Sequence, residues 1–204
     1  MLIKTLPVGQ LETNCYVVTD EDSLDCAVID PGDESGTILD YLEDNKLHCR
    51  AVLLTHAHFD HVGAANALLE ATGARLYMCE KELELVKGGA SGRFTVPEDV
   101  KYYRDGDTVE VGGLRFEVME TPGHTPGGVT LRCGEALFTG DTLFRGSCGR
   151  TDFAGGDMRQ ELRSLKRIAE LPGDYEVYPG HAESSMLSIE REHNPYVRHA
   201  LEKM

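Results

Sequence analysis

Four residues within one six-residue window carry the most chemistry: His56, His58, Asp60 and His61, in the run Thr55-His56-Ala57-His58-Phe59-Asp60-His61. Imidazole and carboxylate together form a ligand set that suits divalent zinc, iron or manganese. In an extended loop residues i and i+2 point the same way, so His56 and His58 can face one cation, with Ala57 too small to intervene. Asp60 and His61 fall where a helix begins and project elsewhere, towards a second cation. Downstream, His124 stands in TPGHTPGG, Asp141 in FTGDTLF and His181 in YPGH. Taken singly, a strand-end Asp or a His in a Pro-Gly turn is usually a turn feature. Behind the first cluster they read as further ligands, and the two oxygens of Asp141 suit it to bridge two cations. Two cations about 3.5–4 Å apart can hold a hydroxide between them, and protein-held zinc brings water's pKa to about 7. The chemistry implied is that of bound divalent cations. His48, His193 and His199 have no such setting and read as surface residues.

Such residues must be brought together by elements that end near one another. Apolar or alternating runs predict strands over Met1–Pro7, Asn14–Thr19, Cys26–Asp30, Cys49–Leu54 and Arg75–Cys79. Helices are expected from about Gly36 to Glu43, capped by Ser35, then over Val62–Glu70 and Glu80–Val86. Lys87–Pro97 reads as a loop. In the second half, Thr108–Val111 and Leu114–Glu120 flank Gly112-Gly113, a hairpin signal. Gly128–Cys133 and Ala136–Thr139 form a second hairpin. An amphipathic helix from about Asp157 to Leu171, a strand over Tyr175–Tyr178 and a polar helical tail complete the chain. Two strand-rich segments, each leading into helices with no linker between them, predict an α/β (α+β) fold: two sheets face to face with helices outside, a four-layer αββα sandwich. Residues 1–204 are expected to form one domain of two pseudo-symmetric halves, about 1–105 and 106–204. His56, Asp141 and His181 each follow an apolar strand, where scaffolded chemistry usually sits.

Composition narrows the partners. With 35 acidic and 20 basic residues the formal charge is −15, which disfavours nucleic acid and anionic lipid and otherwise reads as a soluble surface that resists aggregation; the expected partner is a small-molecule substrate. No stretch is long and apolar enough to span a membrane. The N-terminus lacks the apolar core of a secretory signal, and the six cysteines form no CxxC pair, so reduced thiols and a cytoplasmic location are expected. Cys148, in RGSCGR, reads as an ordinary small buried thiol, the alternative being a thiol at the mouth of the site. No oligomeric state is specified by the pattern.

At these residues the chain resembles the metallo-β-lactamase superfamily, marked by HxHxDH, a His in a Gly-rich loop, a bridging Asp and a final His. The resemblance runs from Asp30-Pro31-Gly32 to the tail. It implies one metal on His56, His58 and His124, a second on Asp60, His61 and His181, and Asp141 bridging them. Zinc is the expected metal, with iron or manganese as alternatives, and Asp60 would also orient the hydroxide and accept its proton. The segment FRGSCGRTDF (Phe144–Phe153), TPGHTPG, YPGH and the tail IEREHNPYV (Ile189–Val197) are similar to the glyoxalase II branch, in its short bacterial form without the added helical domain. This implies cleavage of a thioester such as S-lactoylglutathione or a related thiol ester. Much of the glutathione-binding surface of full-length glyoxalase II lies on the missing domain, so glutathione specificity carries over poorly. Ser147 and Arg150 are candidate substrate contacts, although Arg150 and Asp152 could equally pair to stabilise their loop. The alternatives are a mononuclear iron persulfide dioxygenase, a lactone or ester hydrolase, and a metal-binding regulator without turnover. One penicillin-hydrolysing class needs Cys at position 141 and Arg at position 61, and this chain has neither.

Overall fold

The computed structural model describes residues 1–204. Its elements are β1 (Leu2–Val8), β2 (Thr13–Thr19), β3 (Asp25–Ile29), α1 (Ser35–Asp44), β4 (His48–Leu53), α2 (Phe59–Val62), α3 (Ala65–Thr72), β5 (Arg75–Cys79), a 3₁₀ turn (Glu80–Glu82), α4 (Leu83–Lys87) and β6 (Lys101–Tyr103). Then follow β7 (Thr108–Val111), β8 (Leu114–Glu120), β9 (Val129–Cys133), β10 (Ala136–Gly140), β11 (Leu143–Phe144), β12 (Ser147–Cys148), α5 (Met158–Ala169), β13 (Glu176–Pro179), β14 (Ser185–Met186), α6 (Leu187–His193) and α7 (Pro195–Lys203). One sheet has the order β1-β2-β3-β4-β5-β6 and the other β14-β13-β10-β9-β8-β7, with β11-β12 a separate ribbon.

The core divides as the four layers require. Tyr16, Val18, Ile29 and Leu53 of the first sheet meet Phe116, Val118, Leu131 and Phe138 of the second in one apolar cluster between the sheets. A second cluster joins the outer face of the first sheet to Ile38 and Leu42 of α1 and to Leu68 of α3. A third joins Leu137 and Val177 to Leu165 and Ile168 of α5 and Val197 of α7. The αββα sandwich is therefore observed.

Parallel pairing positions the site. β3 and β4 are parallel neighbours, as are β10 and β13, so each pair ends at the same edge of its sheet. Asp30 thus emerges beside the loop carrying His56 and His58, and Asp141 beside the turn carrying His181. Across the sandwich, Val129 N donates to Thr55 O at 2.9 Å and Asn14 N to Gly180 O at 2.8 Å, tying the two sheet ends together.

Two local expectations change. Ser35 does not cap α1: it is the first helical residue, and Glu34 before it has φ 52° and makes no side-chain cap bond. The Glu34 carboxylate is engaged by Gly9 N and Thr37 Oγ1 instead. The single helix expected over Val62–Glu70 is two, α2 and α3, broken at Gly63-Ala64, where Ala64 N donates to Pro31 O at 2.9 Å. This junction holds the Pro31-Gly32 turn against the motif. The expected polar helical tail is present as α6 and α7, and its contacts are specific. Asn194 caps α7 by accepting from Tyr196 N and Val197 N, with Pro195 at its first turn. Its amide donates to Phe144 O and Ser147 O, while buried Glu190 accepts from Gly146 N and Asn194. The tail pins the β11–β12 ribbon.

Candidate metal centre

The loop after β4 is held by carboxylates from elsewhere in the chain. Asp30 accepts from Thr55 N at 2.7 Å and Thr55 Oγ1 at 2.5 Å. Glu82, fully buried, accepts from Ala57 N with Oε2 and from Gly127 N with Oε1, both at 2.7 Å. One carboxylate therefore fixes both the His56–His58 loop and the loop of His124. Glu161 of α5 accepts from His124 N at 2.9 Å. Asn14 of β2 donates to Pro179 O and Ala182 O, framing His181.

The side chains converge in two groups. His56, His58 and His124 place ring nitrogens within 4.8 Å of one another, as do Asp60, His61 and His181 with one ligand atom each. Asp141 lies between: Oδ1 is 3.4 Å from His61 Nε2, while Oδ2 is 3.5 Å from His124 Nε2 and 3.6 Å from His181 Nε2. All seven residues singled out by spacing meet at one place. His48, His193 and His199 are exposed and apart from it.

Outer hydrogen bonds fix which nitrogen each ring presents. His124 Nδ1 donates to Arg150 O (2.7 Å), His61 Nδ1 to Asp30 Oδ2 (3.0 Å) and His181 Nδ1 to Leu11 O (3.1 Å). Thr55 Oγ1 donates to Asp30 and so accepts from His56 Nδ1 at 3.1 Å. Four rings therefore turn Nε2 inward, each offering a lone pair when the ring is neutral. Buried His56 Nε2 and Asp141 Oδ1 have no hydrogen-bond partner. His58 Nδ1 and His124 Nε2 stand 2.9 Å apart. Convergent lone pairs without donors are the arrangement a cation satisfies, so the donor set fits divalent metals. Asp30, His56 and His61 form a third close group, but the Asp30 oxygens are already taken by Thr55 and His61, so Asp30 positions His61 rather than coordinating.

Charges divide in the same way. Burial, then the neighbouring His61, His124 and His58, hold His56 neutral well below the usual range. Burial brings His58 down to about 4. Burial pushes Asp60 up, but His181 and His61 outweigh it and hold the carboxyl well below its usual value. In Asp141 burial is likewise outweighed, by His61 and His124. The imidazolium of His61 is disfavoured by burial but held up by Asp141 and Asp30, and that of His181 by Asp60.

This predicts the acid response of metal-free protein. Unfolded imidazoles protonate near ~6.5, whereas native His58 does so at about 4 and His56 lower still. Between these values the unfolded state binds more protons, so stability falls as pH falls. The raised pKa values of His61 and His181 contribute stability already fully present below ~6.5, so they do not offset it. The thermal midpoint of metal-free protein should drop from pH 6.5 to 4; a flat or rising profile would contradict the assignment.

Two glycines permit the close approach. A Cβ on Gly140 (φ +49°) would lie 2.3 Å from Thr55 Oγ1, and one on Gly180 would lie 2.2 Å from Asp141 Oδ1 and 2.7 Å from His61 Cε1. Gly180→Ala should displace both side chains and reduce turnover about 100-fold or more with the fold intact by circular dichroism. Unchanged turnover would show the spacing to be slack.

A cavity of about 760 Å³ opens onto both groups, lined also by Phe144, Ser147, Cys148, Arg150 and Phe153. Residues 8–181, which contain every candidate ligand, match the Metallo-beta-lactamase superfamily. The protein belongs to this superfamily. As a metallo-β-lactamase superfamily member with this His/Asp cluster, it is a metal-dependent hydrolase. The chain is 32% identical to hydroxyacylglutathione hydrolase GloC of Haemophilus influenzae, over 97% of this chain and 98% of that one. Among solved structures it is similar to TTHA1623 in a di-iron-bound form, at 36% identity and TM-score 0.84, covering 95% of this chain and 99% of that one. It is also similar to the B3 metallo-beta-lactamase BLEG-1, at 32% identity and TM-score 0.87, covering 96% and 99%. No helix is long and apolar enough to cross a membrane.

Two residues of the Phe144–Phe153 segment stand on the cavity wall. Cys148 is half-buried on the cavity wall, and burial pushes its thiol up to about 12, which disfavours the thiolate. Arg150 lines the cavity, but its guanidinium makes two 2.7 Å bonds to Asp152 and covers the Phe153 ring at 4.0 Å. The loop-stabilising pair is thus present, and the Arg150 charge is not free. Asp30, Glu82, Glu161 and Asn14 were not singled out by sequence.

Proposed function

We propose that the protein hydrolyses a thioester, such as S-lactoylglutathione or a related thiol ester, using two divalent cations. His56, His58 and His124 would hold one, Asp60, His61 and His181 the other, with Asp141 shared, and zinc is the metal proposed. The observation that carries this reading is the set of inward lone pairs, orphaned in His56 and Asp141, beneath a cavity large enough for a small ester. The similarity to GloC supports the thioester, and the di-iron form of TTHA1623 supports two metals while leaving iron as the competing ion.

When bound, the cations would supply a water acidic enough to attack at neutral pH and polarise the carbonyl oxygen. The chain does the rest. Asp60, steadied by Thr13 Oγ1 at 3.2 Å, faces the cavity and orients the attacking water. The Nδ1 bonds to Leu11, Arg150 and Asp30 keep the rings from turning, so the site is ordered before substrate arrives. Phe144 and Phe153 provide apolar walls, and Ser147 offers a hydroxyl at the rim. A thiol of pKa about 8.5 leaves as thiolate, so no strong general acid is needed.

Thiol release from S-lactoylglutathione under nitrogen, with protein containing two metals per chain, is the expected result. Oxygen consumption with a thiol persulfide and one iron per chain would replace this reading with the dioxygenase. Tight metal binding without turnover of any thioester, ester or lactone would replace it with a regulator.

A further inference from the structure

A second cavity of about 630 Å³ adjoins the first, and the two share Leu11, Phe59 and Asp60 as a common wall. Leu11 and Phe59 are 54% and 56% exposed, although their backbones are fixed. Leu11 O accepts from His181 Nδ1, and Phe59 N donates to Ala90 O at 2.9 Å. Two large apolar side chains held in solvent beside the candidate metal centre are what a ligand spanning both chambers would cover.

The second chamber is also lined by Arg93. The segment around it is anchored on both sides. Ser91 Oγ donates to Ala57 O, Phe94 is buried, and Thr95 exchanges two hydrogen bonds with Asn66, at 2.9 and 2.7 Å. Arg93 is therefore a cation of fixed backbone position, exposed and in no ion pair. Asp33, which also lines the chamber, accepts from Glu34 N at 2.7 Å and pairs with no cation. In a chain of charge −15, a free guanidinium in a chamber opening onto the centre is a local anion receptor.

We propose that this chamber binds an anionic group of the substrate remote from the scissile carbonyl, Arg93 pairing with the anion while Leu11 and Phe59 cover the connecting chain. The inference rests on the thioester reading and refines it: the substrate is an elongated thiol ester with an anionic terminus. The anion can belong to the acyl half or to the thiol half.

Three esters separate the sources: the acetyl ester of N-acetylcysteamine, which is neutral; its succinyl ester, anionic on the acyl half; and acetylglutathione, anionic on the thiol half. Each is assayed with the metal-loaded wild type, Arg93→Gln and Arg93→Lys. For one anionic ester, Arg93→Gln should lower kcat/KM about tenfold relative to the neutral ester, through KM, and Arg93→Lys should restore part of it. The ester affected identifies the half that enters the chamber. An anionic-to-neutral ratio unchanged by Arg93→Gln for both anionic esters overturns the proposal. No turnover of any of the three overturns the thioester reading itself, and the proposal with it.

Discussion

Asp141→Ala should lose both cations and reduce hydrolysis by about 10³-fold or more, beyond the cost of removing a single transition-state donor. Asp141 is the carboxylate that faces both groups, with oxygens 3.4–3.6 Å from His61, His124 and His181. Removing it leaves three imidazoles on one side and no anion between the sites to offset two dications. Asp141→Asn keeps the shape and removes the charge, so it should fold like the wild type and still fail to retain metal. Metal content after exhaustive dialysis, measured beside circular dichroism, reads both effects. Two metals retained by either variant would remove Asp141 from the centre.

Glu82→Ala should be the most destabilising single change near the site. The carboxylate is fully buried and accepts from Ala57 N and Gly127 N, so truncation strands two buried donors and opens a void. Burial pushes the Glu82 carboxyl up, opposed by those two N–H groups and Thr125. Each unsatisfied buried group costs about 1–3 kcal/mol, and a cavity adds to it, giving a loss of about 3–5 kcal/mol. For a chain of this size that lowers the thermal midpoint by about 10 °C. Turnover should fall as well, because Ala57 separates His56 from His58 and Gly127 follows His124 by three residues. Glu82→Gln restores one acceptor and sets an amide NH₂ against the other N–H, so it should recover only part of the stability. Melting of both metal-loaded variants checks this, and a midpoint within 2 °C (~0.5–1 kcal/mol) of wild type in Glu82→Ala would contradict it.

The candidate ligands were legible in sequence because chemistry and spacing coincide locally: four fall in six residues and three follow apolar strands. The αββα layering was legible because strand and helix periods change cleanly along the chain. The residues that hold the ligands were not. Asp30 reads as part of a Pro-Gly turn, Glu82 is one of three glutamates in Glu80-Lys81-Glu82-Leu83-Glu84, and each acts on a residue 25 or more positions away. Nothing local tells which glutamate is buried. Two others did leave a trace. Glu161 shares the buried face of α5 with Leu165 and Ile168, and Glu190 shares one with Leu187 and Asn194; an acid at an apolar position of a helix marks a carboxylate with an inner partner. The charge of −15 is accordingly not all solvated surface, since Asp30, Glu82, Glu161 and Glu190 are buried and bonded. Short elements such as β6 and β14 owe their form to pairing with neighbours, which no window of three residues reveals.

The two-cation centre is tested most directly by the metal content of protein purified without added metal and again after metal-saturating dialysis, with each ion located by anomalous scattering. Two ions per chain are expected, one among His56, His58 and His124 and one among Asp60, His61 and His181, with Asp141 between. A single ion per chain after metal-saturating dialysis, or ions bound away from these seven residues, would contradict it.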